Sequence, residues 1–168
     1  MAGDVFSTAG MALTNKRLSY GGTILSRSET TVGNVGVGED TLHTYTVPAA
    51  SLAADGDRIK YEAYLSFAAN GNNKRVRAYF GSTVILDTGT VTYNNLTAWC
   101  ELTVIRTGAA TQTCFARLFG ASVTTIVANT SASETLANAL AIRLTGEATS
   151  NDDIRQFISE IWFVTPRA

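Results

Sequence analysis

Residues 55–87, DGDRIKYEAYLSFAANGNNKRVRAYFGSTVILD, decide the fold because their pattern predicts two long strands joined by a turn. Apolar and polar residues alternate in both arms, a period of two that a helix cannot use. Residues 70–73, NGNN, separate the arms and favour a turn. The apolar positions are Ile59, Tyr61, Ala63, Leu65, Phe67 and Ala69 in the first arm, and Val76, Ala78 and Phe80 in the second.

The two arms are predicted to pair with each other as an antiparallel hairpin. If residues 70–73 form the loop, Phe67 lies opposite Val76 and apolar side chains meet along the whole pair. A slip of one residue would set Arg75 and Arg77 against the apolar positions. We expect a core that includes Ile59, Tyr61, Leu65, Phe67, Val76, Phe80, Leu102 and Val104.

The rest of the chain continues the strand pattern. Residues 95–107 and 111–119 predict a second long hairpin, shorter strands are expected at 42–47, 82–86, 88–93, 122–128 and 139–145, and a long strand at 154–165 is expected to close the chain. A helical turn is weighed for residues 131–138, because Ser131 and Glu134 have the spacing of a capping box. Short connections between consecutive strands predict an all-β, two-sheet jelly-roll sandwich over residues 30–168, after an extended N-terminal arm at residues 1–29.

Bulk composition excludes several classes of protein. A length of 168 residues with 45% hydrophobic content suits one globular domain. The net charge is -1 and the basic residues are scattered, so we expect no nucleic-acid partner. No apolar run approaches the roughly 18 residues of a membrane span, and no signal peptide precedes the domain, so we expect a protein made in a cytoplasm without a membrane partner.

Candidate catalytic and metal-binding groups are few. His43 is the only histidine, and we expect a surface or packed imidazole there. The carboxylates of Glu39, Asp40, Asp55, Asp57, Asp152 and Asp153 lie in turn-like sequence and are expected to be solvated caps, although a glycosidase pair is conceivable. Cys100 and Cys114 are expected to be buried free thiols, with a disulfide as the alternative. We therefore expect neither enzyme activity, nor a metal, nor a cofactor.

One surface combines aromatic and arginine side chains. On the predicted hairpin, Tyr64, Arg75, Arg77 and Tyr79 occupy the polar face, with Trp99 nearby. This mixture is favoured at protein interfaces and at sugar-binding sites, although single exposed aromatic residues are also common. The five residues are the predicted interface or glycan face.

The order of several motifs resembles a family of small jelly-roll proteins from tailed bacteriophages. The motifs are TYTVPAASLAADGDRI, AANGNNKRVRAYFGSTVILDTG, a Trp-containing strand that leads into VIRTG, ALAIRLTGEAT and NDDIRQF. The resemblance covers about residues 39–165 and its motifs are structural rather than catalytic. It implies a component of the virion, assembled in the host cytoplasm and built as a homotrimer, because such modules usually assemble around three-fold axes.

Two functions follow from this resemblance. The first is a trimeric capsid decoration or cement protein that binds the major capsid protein, or another virion protein, and stabilises the assembled shell. The second is a tail-fibre or spike tip that binds a host surface glycan or protein. We expect the first, since a fibre tip usually follows a long shaft on the same chain. The arm is the predicted anchor, with Phe6, Met11, Leu13, Leu18 and Tyr20 as its contacts, and the alternative is an arm that wraps its own sandwich.

Overall fold

The computed structural model describes residues 22–165, which form two antiparallel β-sheets packed face to face. No helix occurs within this range, so the predicted all-β class is confirmed. The strands are β1 (Thr23–Ser28), β2 (Val32–Gly33), β3 (Gly38–Val47), β4 (Arg58–Phe67), β5 (Lys74–Phe80), β6 (Thr83–Asp87), β7 (Leu96–Gly108), β8 (Thr111–Gly120), β9 (Val123–Ala132), β10 (Leu140–Ala148) and β11 (Ile154–Val164).

The strand order is that of a jelly roll with one added hairpin. The large sheet has the order β1-β11-β4-β7-β8-β9, with β2 also paired to β11, and the small sheet has the order β3-β10-β5-β6. The chain crosses repeatedly from one sheet to the other, which distinguishes a jelly roll from a sandwich of simple meanders. β8 and β9 extend the large sheet beyond β7. The predicted two-sheet jelly-roll sandwich is therefore confirmed.

The predicted pairing of the two arms of residues 55–87 is wrong. β4 pairs with β7 and β11 in the large sheet, whereas β5 pairs with β6 and β10 in the small sheet. Both strands turn their apolar sides inward, so the two apolar sets lie on opposite walls of the core instead of side by side. Alternation determines which side of a strand is buried, but it does not determine which strand lies beside it.

A buried polar cluster holds residues 70–73 in the crossing between the sheets. The side-chain amides of Asn70 and Asn72 donate to the carboxylate of Asp153 over 2.6 and 2.9 Å. The ammonium of Lys74 donates to Oδ1 of Asn70 over 2.8 Å. Lys74 and Asp153 are each only 1% exposed, so the expectation of a solvated cap is wrong for Asp153. The cluster joins the β4–β5 crossing to the connection between β10 and β11.

The predicted core and the second hairpin are confirmed. All of the core residues expected from the sequence are buried: Ile59, Tyr61, Leu65, Phe67, Val76, Phe80, Leu102 and Val104. β7 and β8 pair along their length as the predicted hairpin. Cys100 lies opposite Leu118 and Cys114 lies opposite Val104, so the two thiols are not cross-strand partners. Both cysteines are buried and free.

Two local predictions need correction. The predicted arm at residues 1–29 includes β1, which pairs with β11 as an edge strand of the large sheet, so the sandwich begins earlier than expected. Residues 131–138 form no helical turn. Glu134 instead accepts hydrogen bonds from the backbone nitrogens of Ser82 and Thr83, over 2.7 and 3.1 Å, and therefore links two distant connections.

Candidate interaction surface

The predicted interface face is divided between two opposite surfaces of the sandwich. Tyr64 on β4 and Trp99 on β7 lie on the outer side of the large sheet, with ring centroids 5.2 Å apart. Arg75, Arg77 and Tyr79 lie on β5, on the outer side of the small sheet. The prediction of one continuous face is wrong because it depended on the hairpin pairing of β4 with β5. The other predicted site residues, Phe6, Met11, Leu13, Leu18 and Tyr20, lie outside the described residues.

The outer side of the small sheet is a network of paired charges. Arg77 contacts Glu39 at 2.6 Å and Glu147 at 2.8 Å, and Arg75 contacts Asp87. The hydrogen bond from Arg75 lowers the pKa of Asp87 to about 2. The groups of this network already have partners, so they gain little from binding another molecule.

Tyr79 belongs to the same network and is buried, so it is not part of an exposed aromatic surface. The guanidinium of Arg143 covers its ring at 4.3 Å, and its hydroxyl donates to Glu39 over 2.5 Å. Although burial opposes the effect, hydrogen bonds from Thr145 and Tyr79 lower the pKa of Glu39.

The outer side of the large sheet carries a row of apolar and aromatic side chains, which we call the aromatic row. Cross-strand pairing places these residues abreast on four neighbouring strands: Ile158, Tyr64, Trp99 and Phe119. Phe157 adjoins the row, with its ring centroid 6.1 Å from that of Tyr64. Arg117 lies over the ring of Phe119 at 4.4 Å.

Large apolar side chains remain exposed on this side of the sandwich. The exposed fractions are 42% for Trp99, 44% for Phe115, 73% for Val127 and 39% for Ile158. Soluble monomers rarely expose contiguous apolar patches of large area, and aromatic residues are enriched at interfaces. This side of the sandwich is therefore the candidate interaction surface.

A second row, which we call the charge row, runs beside the aromatic row. Cross-strand pairing places five charged residues abreast from β1 to β8: Arg27, Glu160, Glu62, Glu101 and Arg117. Arg117 contacts Glu101 at 2.7 Å and Arg27 contacts Glu160 at 3.4 Å. The three glutamates lie between the two arginines, an arrangement that puts like charges directly opposite each other.

Glu62 is the exceptional member of the charge row. It has no salt bridge with any residue in the described part of the chain. Burial raises the pKa of Glu62, and the negative charges of Glu101 and Glu160 raise it further against the opposing effects of Lys60 and Arg117. Within residues 22–165, the middle of the row therefore has a carboxylate without a salt-bridge partner.

The charge row crosses a shallow depression between the two tryptophans of the chain. Its walls are the side chains of Trp99, Trp162, Ile158, Glu62 and Glu160. Flat indole rings beside carboxylates can stack on a sugar ring and accept hydrogen bonds from its hydroxyls, or they can accept a cation. The depression therefore combines aromatic, aliphatic and acidic side chains.

The residues considered for catalysis have structural contacts. His43 is packed: it stacks on Tyr61 with centroids 5.4 Å apart and rings inclined by 8°, and burial lowers its pKa. Asp55 pairs with Arg106 at 2.9 Å, and Asp152 pairs with Arg155 at 3.0 Å.

The remaining two carboxylates act as turn caps. Asp57 accepts hydrogen bonds from the backbone nitrogens of Ala53 and Ala54, over 2.9 and 2.8 Å, and is buried as it does so. Asp40 accepts one from the backbone nitrogen of Val35 over 2.8 Å. Asp40 and Asp57 therefore cap turns, as predicted. The prediction that Asp57 is solvated is wrong, because its side chain is buried.

Within residues 22–165, no group of three or more His, Cys, Asp or Glu side chains is arranged to hold a metal ion. No helix in the same part of the chain has the length and apolar character needed to cross a membrane.

The fold and this surface define an all-β jelly-roll sandwich with an exposed aromatic face. No protein-family model matches the sequence, and no curated protein matches it. Among solved structures, it is similar to the CBM2 module of the evolved Dit of Lactobacillus casei BL23 phage J-1. The TM-score is 0.43 and the identity is 8%, over 74% of this chain and 70% of that chain.

Sequence reasoning missed the charge row and most of the aromatic row. Glu62, Glu101 and Glu160 each occupy an outward position of a predicted strand, so their exposure was accessible from alternation. Alternation could not show that the three glutamates lie close together, because their proximity depends on β4 lying between β11 and β7. The charge row could have been predicted only from a correct strand order.

Proposed function

We propose that this chain is a structural protein of a bacteriophage virion: a homotrimeric decoration or cement protein that binds the assembled shell and stabilises it. Its partner is the major capsid protein or another virion protein, and it acts without catalysis. The observation that carries the proposal is the exposed aromatic surface on the outer side of the large sheet. The resemblance of residues 39–165 to small jelly-roll virion proteins supports the bacteriophage setting.

The two sides of the sandwich are suited to different roles. The small sheet holds its charges in pairs, such as Arg77 with Glu39, and offers few unsatisfied groups. The large sheet exposes Trp99 and Phe115, which are residue types that contribute strongly to binding when they become buried. The large sheet is therefore the side that contacts the shell or a neighbouring copy, while the small sheet faces solvent.

A pair of matched valine variants tests this assignment. Val127 lies on the outer side of the large sheet, on β9, and Val84 lies on β6 of the small sheet. A charge introduced at an interface must be desolvated, which is costly unless it is paired. Val127→Asp should therefore weaken binding to particles that lack this protein, whereas Val84→Asp should leave binding unchanged.

Co-sedimentation with such particles measures the binding, and light scattering measures the oligomeric state. Circular dichroism checks that both variants remain folded. Equal binding by the two variants would contradict the assignment of the large sheet. A strictly monomeric mass for the full chain across micromolar concentrations would contradict the trimer.

A second function, a fibre or spike tip that binds a host glycan, is favoured by the depression between Trp99 and Trp162. Indole rings beside the carboxylates of Glu62 and Glu160 are suited to stacking on sugars and bonding their hydroxyls. A tip would bind host surface polysaccharide, and Trp162→Ala would abolish that binding. A decoration protein would bind particles and show no affinity for the polysaccharide.

A further inference from the structure

We propose that the depression between Trp99 and Trp162 accepts one arginine side chain of the shell protein that the large sheet contacts. This rests on the proposed function and adds to it the chemistry of the partner: a guanidinium carried by a protein, where the alternative function has a host glycan. The size of the depression, its negative charge and its aromatic walls favour that occupant.

The depression is too small for a drug-sized ligand and suits a single side chain. Its volume is about 170 Å³. Sites for small organic ligands usually enclose about 300–1,000 Å³ and bury most of the ligand. A ligand held alone in a shallow depression would keep much of its surface in water, whereas a side chain that arrives on a protein surface is covered by that surface.

The charges around the depression leave Glu62 as the carboxylate that a partner cation can pair with. Glu160 pairs with Arg27. Glu101 likewise pairs with Arg117, whereas Glu62 has no salt bridge within residues 22–165. Glu62 lies directly between the other two glutamates, and like charges in such positions are destabilising. A cation over Glu62 would offset that repulsion.

The lysine on the same strand does not supply this charge. Lys60 lies two residues from Glu62 on β4, on the same side of the sheet, and is opposite Trp162. Among the described residues, its ammonium forms no salt bridge. Burial and the neighbouring glutamates raise the pKa of Glu62 by more than the charge of Lys60 lowers it. Glu62 therefore still lacks a close positive partner in this part of the chain.

The two indole rings favour an arginine over a lysine. Trp99 lies in the aromatic row on one side of Glu62, and Trp162 lies on the other side of the charge row. A guanidinium is planar, stacks on aromatic faces and has several N–H donors, whereas an ammonium is a compact and strongly hydrated charge. Glu62 and Glu160 are a cross-strand pair with Cβ atoms about 5 Å apart, so both carboxylates can accept hydrogen bonds from one guanidinium.

Exposed apolar side chains around the depression favour a protein as the carrier of the cation. Trp99 and Ile158 form part of its walls and remain exposed, and Phe115 and Val127 are exposed farther along the same side of the sandwich. A free guanidinium would leave these side chains in water. A protein surface that carries the arginine would cover them, as interfaces cover the residues around a central contact.

Titration of the nitrogen-15-labelled full chain with the peptide acetyl-Gly-Arg-Gly-amide tests the site directly. The control peptide has citrulline in place of arginine, which keeps the shape of the side chain and removes its charge. We expect a saturable shift of the indole N–H resonances of Trp99 and Trp162, with binding about tenfold weaker for the citrulline peptide. Glu62→Gln with Glu160→Gln should weaken binding of the arginine peptide similarly, whereas Glu147→Gln on the small sheet should not.

Several outcomes of the titration would overturn the proposal. Equal binding of the two peptides would show that the charge is not recognised. Shifts that leave both indole resonances unchanged would place the peptide elsewhere. Saturation by the neutral oligosaccharide cellotetraose, and not by the arginine peptide, would make the depression a sugar site.

Co-sedimentation with particles that lack this protein tests whether the shell supplies the arginine. Glu62→Gln with Glu160→Gln should weaken particle binding about tenfold relative to Glu147→Gln, because it leaves the partner's charge unpaired. If Val127→Asp weakens particle binding and the double glutamine variant does not, the arginine site is wrong while the proposed function stands. Failure of the wild-type protein to bind particles would instead overturn the proposed function, and with it the assignment to the shell. A changed oligomeric mass in the double variant, with particle binding retained, would assign the arginine to a neighbouring copy and overturn its assignment to the shell.

Discussion

Replacing Asp153 with asparagine should weaken the fold far more than an exposed charge would. The carboxylate accepts hydrogen bonds from the side chains of Asn70 and Asn72 and from the backbone nitrogen of Ser150, over 2.6, 2.9 and 2.9 Å. In Asp153→Asn, one carboxylate oxygen becomes an amide group that can only donate. At least one of the three donors then faces another donor.

Rotation of a neighbouring amide cannot repair this mismatch without another loss. Oδ1 of Asn70 already accepts hydrogen bonds from the ammonium of Lys74 and from the backbone nitrogen of Asn72, over 2.8 and 3.1 Å. Turning the Asn70 amide toward residue 153 would remove both. The substitution also removes the negative charge of Asp153, which favours the protonated form of the buried Lys74 against the effect of burial.

The expected loss in the free energy of unfolding is about 2–4 kcal/mol, since a hydrogen bond to a charged group contributes roughly 1.5–3 kcal/mol and the buried lysine loses its compensation. Chemical denaturation followed by tryptophan fluorescence measures it. The matched control is Asp152→Asn, which removes the adjacent charge from an exposed pair with Arg155 and should cost less than about 1 kcal/mol. Equal losses for the two variants would refute the role assigned to the cluster.

Three further predictions concern the core, the small sheet and the thiols. Leu65→Ala should cost about 2–5 kcal/mol of unfolding free energy because it opens a cavity in the buried face of β4, and a loss below about 0.5 kcal/mol would contradict that packing. The pKa of Asp87 should be about 2 by NMR titration, so its stabilisation should be complete above the usual aspartate value of 3.8 and lost as the pH falls toward 2; a pKa near 3.8 would be inconsistent with the contact to Arg75. Burial raises the pKa of Cys100 and of Cys114 to about 12, so a chromogenic thiol reagent at neutral pH should modify neither in the folded protein and both after unfolding, and rapid modification of the native protein would contradict their burial.

Alternation along the chain was sufficient to predict the eight apolar core residues that were named from the sequence. Leu65 and Phe80 were assigned correctly to the core from period two alone, although the strands that carry them are not neighbours. The alternation is the same whether two strands pair within one sheet or face each other across the core, because in both cases their apolar sides meet other apolar sides. Strand order therefore could not be obtained from the same signal.

The candidate surface was only partly predictable for the same reason. Tyr64 and Trp99 were placed on one surface correctly, but Tyr79 was added to them through a pairing that does not exist. The row of Glu160, Glu62 and Glu101 joins strands that are distant in sequence, so no local pattern reveals it. Likewise, the burial of Lys74 depends on Oδ1 of Asn70 and the backbone carbonyl of Asn72, which accept hydrogen bonds from its ammonium and which turn propensities do not place there.

The abundance of this chain in purified particles tests the proposed function most directly. Under the proposed function the chain is encoded by a bacteriophage, and quantitative mass spectrometry of intact particles of that phage gives the molar ratio to the major capsid protein. A decoration protein should be present at a fixed ratio of the same order as the shell subunits. Its absence from particles, or a count of only a few copies per particle, would contradict a role in covering the shell.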